Sequence, residues 1–127
     1  MKKDNEKHKI LIVDDVPTNI MTLATILKEH YEVLIATSGH DALELVAMNH
    51  IDLVVLDIVM PDMNGYEVCR RLKNNSNSNS ISIIFMTASQ DDRAMTKSIV
   101  SGGVYYLQKP VDVSVLQPLI KHLLSKR

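Results

Sequence analysis

An α/β domain built on a five-stranded parallel sheet is predicted by two observations. Five short apolar runs alternate with five amphipathic segments along the 127 residues, and such alternation produces parallel βαβ units with right-handed crossovers. The runs Ile10–Val13 and Leu53–Leu56 are apolar at every position and lead straight into aspartate. Continuous runs of this kind mark strands buried on both faces, and an aspartate after one sits at the carboxyl edge of the sheet, where open α/β sheets bind ligands.

The elements follow in order. Met1 to His8 is charged throughout and reads as a solvated tail, with the domain proper spanning 9–127. The first strand, Ile10–Val13, ends at Asp14 and Asp15. Pro17 suits a helical first turn, which Asp15 or Thr18 can cap. Ile20, Leu23, Ile26 and Leu27 then carry a helix to about Glu29. Glu32–Ala36 is a strand and Thr37-Ser38-Gly39 a turn. Ala42, Leu43, Leu45, Val46 and Met48 mark a second helix, with Asp41 and Glu44 placed favourably in its early turns. The third strand, Leu53–Asp57, is broken by Pro61 and Asn64-Gly65. Tyr66, Val68, Cys69 and Leu72 form the apolar side of a third helix, with Arg70, Arg71 and Lys73 near its end. The polar run Asn74–Ser80 reads as a flexible surface loop with nothing to give a core. Ile81–Thr87 is the fourth strand. A fourth helix capped by Ser89 or Asp91 passes through Ala94, Met95, Ile99 and Val100 and stops at Gly102-Gly103. Val104–Leu107 is the fifth strand, followed by Gln108-Lys109-Pro110. The last helix starts near Asp112 or Ser114 and ends at Ser125-Lys126-Arg127.

The totals narrow the function classes. A chain of this length suits one domain and buries about two-thirds of its unfolded surface. A net charge of -1 carries no basic excess for nucleic acid. No apolar run reaches a membrane span. One cysteine permits no internal disulfide, and the N-terminus has no signal-peptide core, so a cytoplasmic, reducing setting is expected.

A parallel sheet brings the ends of all its strands to one edge. Asp14, Asp15, Asp57, Thr87 and Lys109 are therefore expected together, although up to 95 positions separate them. Three carboxylates in one place repel unless a cation joins them, and a few oxygen ligands completed by water suit Mg²⁺, for which Mn²⁺ can substitute. A lysine and a hydroxyl beside them can bind phosphoryl oxygens. The set suits phosphoryl transfer, with Asp57 the carboxylate nucleophile. Singly, each residue has a plain reading: Asp57 as a turn aspartate, Lys109 as a surface lysine, Thr87 as a strand end and Tyr106 as a half-buried strand aromatic. His8, His30, His40, His50 and His122 show no metal-pair spacing and read as solvated, and Cys69 as core.

Taken together, the motifs Ile12-Val13-Asp14-Asp15, Val55-Leu56-Asp57 with Met60-Pro61 and Gly65, Met86-Thr87-Ala88, and Tyr106 with Lys109-Pro110 resemble a response-regulator receiver domain of two-component signalling, CheY-like, over about residues 9–126. The resemblance implies a doubly wound, flavodoxin-like sheet of order 2-1-3-4-5 flanked by five helices. It implies Asp57 as phosphoacceptor, Asp15 as a direct Mg²⁺ ligand, Asp14 as one through water, and the backbone carbonyl of Val59 as a further ligand. Thr87 and Lys109 match the groups that contact the phosphoryl oxygens, and Tyr106 the switch aromatic. The family usually holds Lys109-Pro110 as a cis bond. A phosphohistidine on a sensor histidine kinase or histidine phosphotransfer protein is the implied donor. An output domain or effector would read the face made by the fourth helix, fifth strand and fifth helix, with no direct nucleic-acid or membrane contact. The module is not expected to be an enzyme beyond promoting its own Mg-dependent phosphorylation and dephosphorylation.

Some positions depart from the pattern. Val104-Tyr105 stands where relatives often carry an acidic pair that bridges a dimer, and Val111 stands where an aromatic is common. Val59 and Ser89, two residues beyond Asp57 and Thr87, are poor at orienting an attacking water, so slow loss of the phosphoryl group is expected. Val13–Asn19 and Val104 resemble receivers joined to hybrid kinases or cyclic-nucleotide signalling enzymes. A docking-only pseudo-receiver would have lost Asp57 or Lys109. An aspartyl-phosphate phosphatase would want an acid at Val59, and a flavin phosphate loop would be repelled by Asp14-Asp15.

Overall fold

The computed structural model describes residues 7–88 and 105–125. Five strands form one sheet: β1 (Lys9–Val13), β2 (Glu32–Ala36), β3 (Leu53–Asp57), β4 (Ser82–Thr87) and β5 (Tyr105–Gln108). Their order is β2-β1-β3-β4-β5 and every neighbouring pair is parallel. Among the described residues four helices flank the sheet: α1 (Pro17–Leu27), α2 (Gly39–Met48), α3 (Gly65–Lys73) and α4 (Val113–Ser125). The helix expected from Ser89 or Asp91 to Val100, and with it Ser89 and Val104, lies outside the described residues.

The apolar runs are continuous because both faces of the sheet are covered. Along β1, Leu11 and Val13 face a core shared with α2 and α3, through Ala42, Val68, Cys69 and Leu72. Ile10 and Ile12 face the opposite core, shared with α1 and α4 through Ile20, Leu27, Leu116 and Ile120. The central strand β3 is buried at all five positions, Asp57 included. Cys69 is buried, as its place on the apolar side of α3 requires.

Three local expectations change. The N-cap of α1 is Val16, with no side-chain cap; the Asp14 carboxylate instead accepts the Val16 N–H at 2.9 Å, so neither Asp15 nor Thr18 caps the helix, and the helix stops at Leu27 rather than Glu29. The segment 74–80 is tied to the domain rather than a loose loop. Ser78 is buried and its hydroxyl donates to the Leu72 carbonyl at 2.6 Å, while Lys73 Nζ donates to the carbonyls of Asn79 and Ile81. A small hydroxyl can enter the core edge because a backbone acceptor waits there. His40 and His50 are exposed, as expected, and each also pairs with an aspartate: His40 with Asp62 at 2.7 Å and His50 with Asp52 at 3.1 Å. The tail's last residue is also engaged, since the His8 carbonyl accepts the Glu32 N–H at 2.9 Å.

Candidate functional site

Four strand ends build the site. Asp14 and Asp15 follow β1, Asp57 ends β3, Thr87 ends β4, and Lys109 follows β5. Asp57 pairs in register with Met86 and Thr87 with Gln108, which sets Asp57, Thr87 and Lys109 at nearly one level of the carboxyl edge. The Lys109 N–H donates to the Thr87 carbonyl at 2.7 Å, and the Lys109–Pro110 bond is cis. The five strand-end residues expected together are thus gathered at one edge.

Asp14, Asp57 and Thr87 are buried, which is rare for such residues unless they are partnered. One carboxylate oxygen each from Asp14, Asp15 and Asp57 lies within 4.8 Å of the others. The Lys109 ammonium joins two of them, donating to Asp14 Oδ2 at 2.9 Å and lying 3.2 Å from Asp57 Oδ1. Burial pushes the Asp57 carboxyl up from 3.8 to about 6; Lys109 pulls it down, and Asp14 and Asp15 push it up. Burial opposes the charge on Lys109, but its bond to Asp14 and the charges of Asp57 and Asp14 outweigh that and raise its pKa. Three crowded carboxylates against one ammonium leave an excess of negative charge, and oxygen donors alone surround it. That donor set fits a hard divalent cation.

A cavity of about 380 Å³ lies beside the Asp14–Lys109 pair, walled by Thr18 and Thr22 of α1 and by Met86, Pro110 and Val111. Val59, two residues past Asp57, is 72% exposed. On β5, Tyr106 is half-buried against the core on the α2–α3 side, and Tyr105 is 44% exposed.

A family model for the response regulator receiver domain matches residues 10–121. The chain belongs to the response regulator receiver domain family. This receiver domain is 40% identical over 126 residues to the Vibrio cholerae protein named "Probable cyclic di-GMP phosphodiesterase", a match covering 98% of the chain but only 29% of that protein. It is 35% identical to Protein PilH of Pseudomonas aeruginosa, covering 92% of the chain and 98% of PilH. Among solved structures, a CheY-like receiver domain protein from Methanospirillum hungatei superposes with a TM-score of 0.89 at 29% identity, covering 95% of this chain and 96% of that one. The receiver domain is a module of two-component signal transduction. Asp57 and Lys109, one of which a docking-only relative would have lost, both stand in the site.

Two groups near the receiver's site escaped sequence reasoning. Asp62 accepts from the backbone N–H groups of Gly39 and His40 and pairs with the His40 ring; nothing local in sequence announces a contact spanning 22 positions. Ser38 and Asn64 cap α2 and α3 by accepting from Asp41 and Glu67 N–H. Here a signal did exist, an acidic residue three places after a capping type. Asp52, buried at the opposite edge, accepts the Lys9 N–H at 2.8 Å and anchors the start of β1. No described helix is long and apolar enough to cross a membrane.

Proposed function

We propose that this receiver domain takes a phosphoryl group onto Asp57 from a phosphohistidine of a sensor histidine kinase or histidine phosphotransfer protein. The observation that carries the reading is the Lys109 ammonium bridging Asp14 and Asp57, with Asp15 and Thr87 at the same sheet edge. A carboxylate oxygen of Asp57 forms the bond to phosphorus as the donor's phosphorus–nitrogen bond breaks, and the leaving imidazole keeps the electron pair and takes a proton from solvent. Asp57 is held in place by the end of β3, paired in register with β4. Lys109 and the Thr87 hydroxyl hold the phosphoryl oxygens once they arrive.

Asp14, Asp15, Asp57 and the Val59 backbone carbonyl are the groups that would hold Mg²⁺. The cation supplies neutralisation of charge on the transferring phosphoryl oxygens. Occupation of Asp57 draws Thr87 inward, and Tyr106 turns into the space vacated. The change is a shift between two existing states rather than a new fold. The exposed Tyr105 and the outer side of α4 support β5 and α4 as the surface that an output domain or effector reads. We place the domain in the cytoplasm, in keeping with its donor and the reduced, buried Cys69. The phosphodiesterase name describes the whole Vibrio protein, whereas this chain's proposed chemistry is confined to gaining and losing its own phosphoryl group.

Incubation with Mg²⁺ and acetyl phosphate followed by intact mass tests the reading. One phosphoryl adduct is expected with Mg²⁺ and none with a chelator. No adduct from acetyl phosphate or from any phosphohistidine donor would show a docking-only module. The lifetime of the adduct gives a second result. The Val59 side chain offers no polar atom to orient water, so Val59→Asn should speed loss of the phosphoryl group on the order of tenfold, a fraction of what a full general base contributes. Equal decay of the two proteins would remove Val59 from the account.

A further inference from the structure

The loop 59–64 joins Asp57 to α3 and carries Val59. Its two ends are closed on each other, since the Gly65 N–H donates to the Ile58 carbonyl at 2.7 Å and the Ile58 N–H to Met86 of β4 at 3.1 Å. Between those ends, Met60 is buried and Met63 packs on the core. Methionines are unbranched and adapt to their surroundings, so they locate a backbone loosely. The directional contact in the loop is Asp62. Its Oδ1 accepts the Gly39 N–H at 3.1 Å; its Oδ2 accepts the His40 N–H at 3.1 Å and lies 2.7 Å from His40 Nδ1.

Those donors are the first orphan amides of α2, groups that need an acceptor and favour an anion. The next amide, of Asp41, is taken by the Ser38 hydroxyl at 3.1 Å, so the helix start is shared between its own cap and a carboxylate from another segment. The approach depends on Gly39. A Cβ there would meet the Met63 Cβ at 2.9 Å and the Met63 carbonyl at 3.2 Å. The His40 contact holds the Asp62 carboxyl well below the usual carboxylate range, so it stays an acceptor through the working pH range.

We infer that Asp62 is a positioning residue for the phosphoacceptor loop: by clasping the start of α2 it fixes the backbone around Val59 beside Asp57, in the arrangement that accepts a divalent cation. The inference rests on the reading of the Val59 carbonyl as a cation ligand. It assigns α2, which contributes no carboxylate to the cluster of Asp14, Asp15 and Asp57, a part in preparing the site.

The test compares the full chain with Asp62→Ala and Ser38→Ala. Ser38→Ala weakens the same helix start through its own cap but leaves the loop contact. Two quantities are read below the unfolding transition: Mg²⁺ affinity from chemical-shift titration, and hydrogen exchange of the loop amides in EDTA. Asp62→Ala should weaken Mg²⁺ binding about tenfold, the size of effect typical when a group supporting a metal ligand is lost, and should speed exchange of the amides of Met60 and Met63. Ser38→Ala should leave both within about twofold of the parent. Parent-like Mg²⁺ affinity in Asp62→Ala, or equal losses in the two variants, would overturn the inference. The underlying reading fails differently: a parent that gives no saturable response to Mg²⁺ removes the cation site itself and the positional claim with it.

Discussion

Asp57→Asn is expected to abolish the phosphoryl adduct while leaving a folded protein that is more stable than its parent at neutral pH. Asparagine keeps the shape of the side chain, its burial and an oxygen for Lys109, but its amide does not form an acyl phosphate. No adduct should appear with acetyl phosphate and Mg²⁺ by intact mass; an adduct of undiminished amount would place the acceptor elsewhere. The stability gain follows from the charge balance. The Asp57 pKa is raised in the folded state, from 3.8 to about 6. Its contribution to stability is therefore fully present below about pH 4 and is lost as pH rises through about 6. Above that the folded protein holds a carboxylate that would rather be in water. A shift of this size corresponds to about 3 kcal/mol, and solvent at the mouth of the crevice reduces it to about 1–2 kcal/mol. In EDTA, urea unfolding at pH 8 should show Asp57→Asn ahead by that amount, with the gap closing toward pH 4. Mg²⁺ should narrow it as well, by stabilising the parent alone. A parent as stable as the variant at pH 8 without metal would mean the crowding costs nothing.

The residues that create this strain could be read from the sequence because the strands that carry them could. The strands were legible because Ile10–Val13 and Leu53–Leu56 are apolar on both faces, a pattern a solvent-edge strand does not need. Once the sheet is parallel, chain order alone brings Asp14, Asp57, Thr87 and Lys109 to one edge, and no side-chain detail is required. What stayed hidden depends on contacts between segments. Asp62 and His40 meet because the loop after β3 approaches the start of α2 at Gly39. Ser78 looks like part of a polar run until Leu72 is seen to offer it a buried carbonyl. His50 is solvated as its sequence suggests, but its pairing with the buried Asp52 shows only in the fold. Polar residues carry little pattern of their own, and their roles follow from the acceptors the fold brings near.

Gly65→Ala is expected to destabilise the protein more than an ordinary surface change and to impair the site with it. Gly65 is the first residue of α3, after the Asn64 cap, in a position where alanine would ordinarily help a helix. Here the neighbour is backbone. A Cβ at Gly65 would fall on the carbonyl oxygen of Asp57, inside any permitted contact, and 3.0 Å from the Ile58 Cα. Neither can rotate away, because β3 is held between β1 and β4. The helix start must therefore lift from the strand end, stretching the 2.7 Å bond from Gly65 N–H to the Ile58 carbonyl. Overpacking against fixed backbone costs about 3 kcal/mol, more than the roughly 1 kcal/mol at most that helix propensity gives in the other direction. Urea unfolding should show that loss, and the rate of adduct formation from acetyl phosphate should fall even where the variant is fully folded, since the displaced strand end carries Asp57. A variant with parent-like stability would mean that the strand end and helix start can separate freely. A destabilised variant that acquires phosphate at the parent's rate would mean that Asp57 holds its position without the α3 contact.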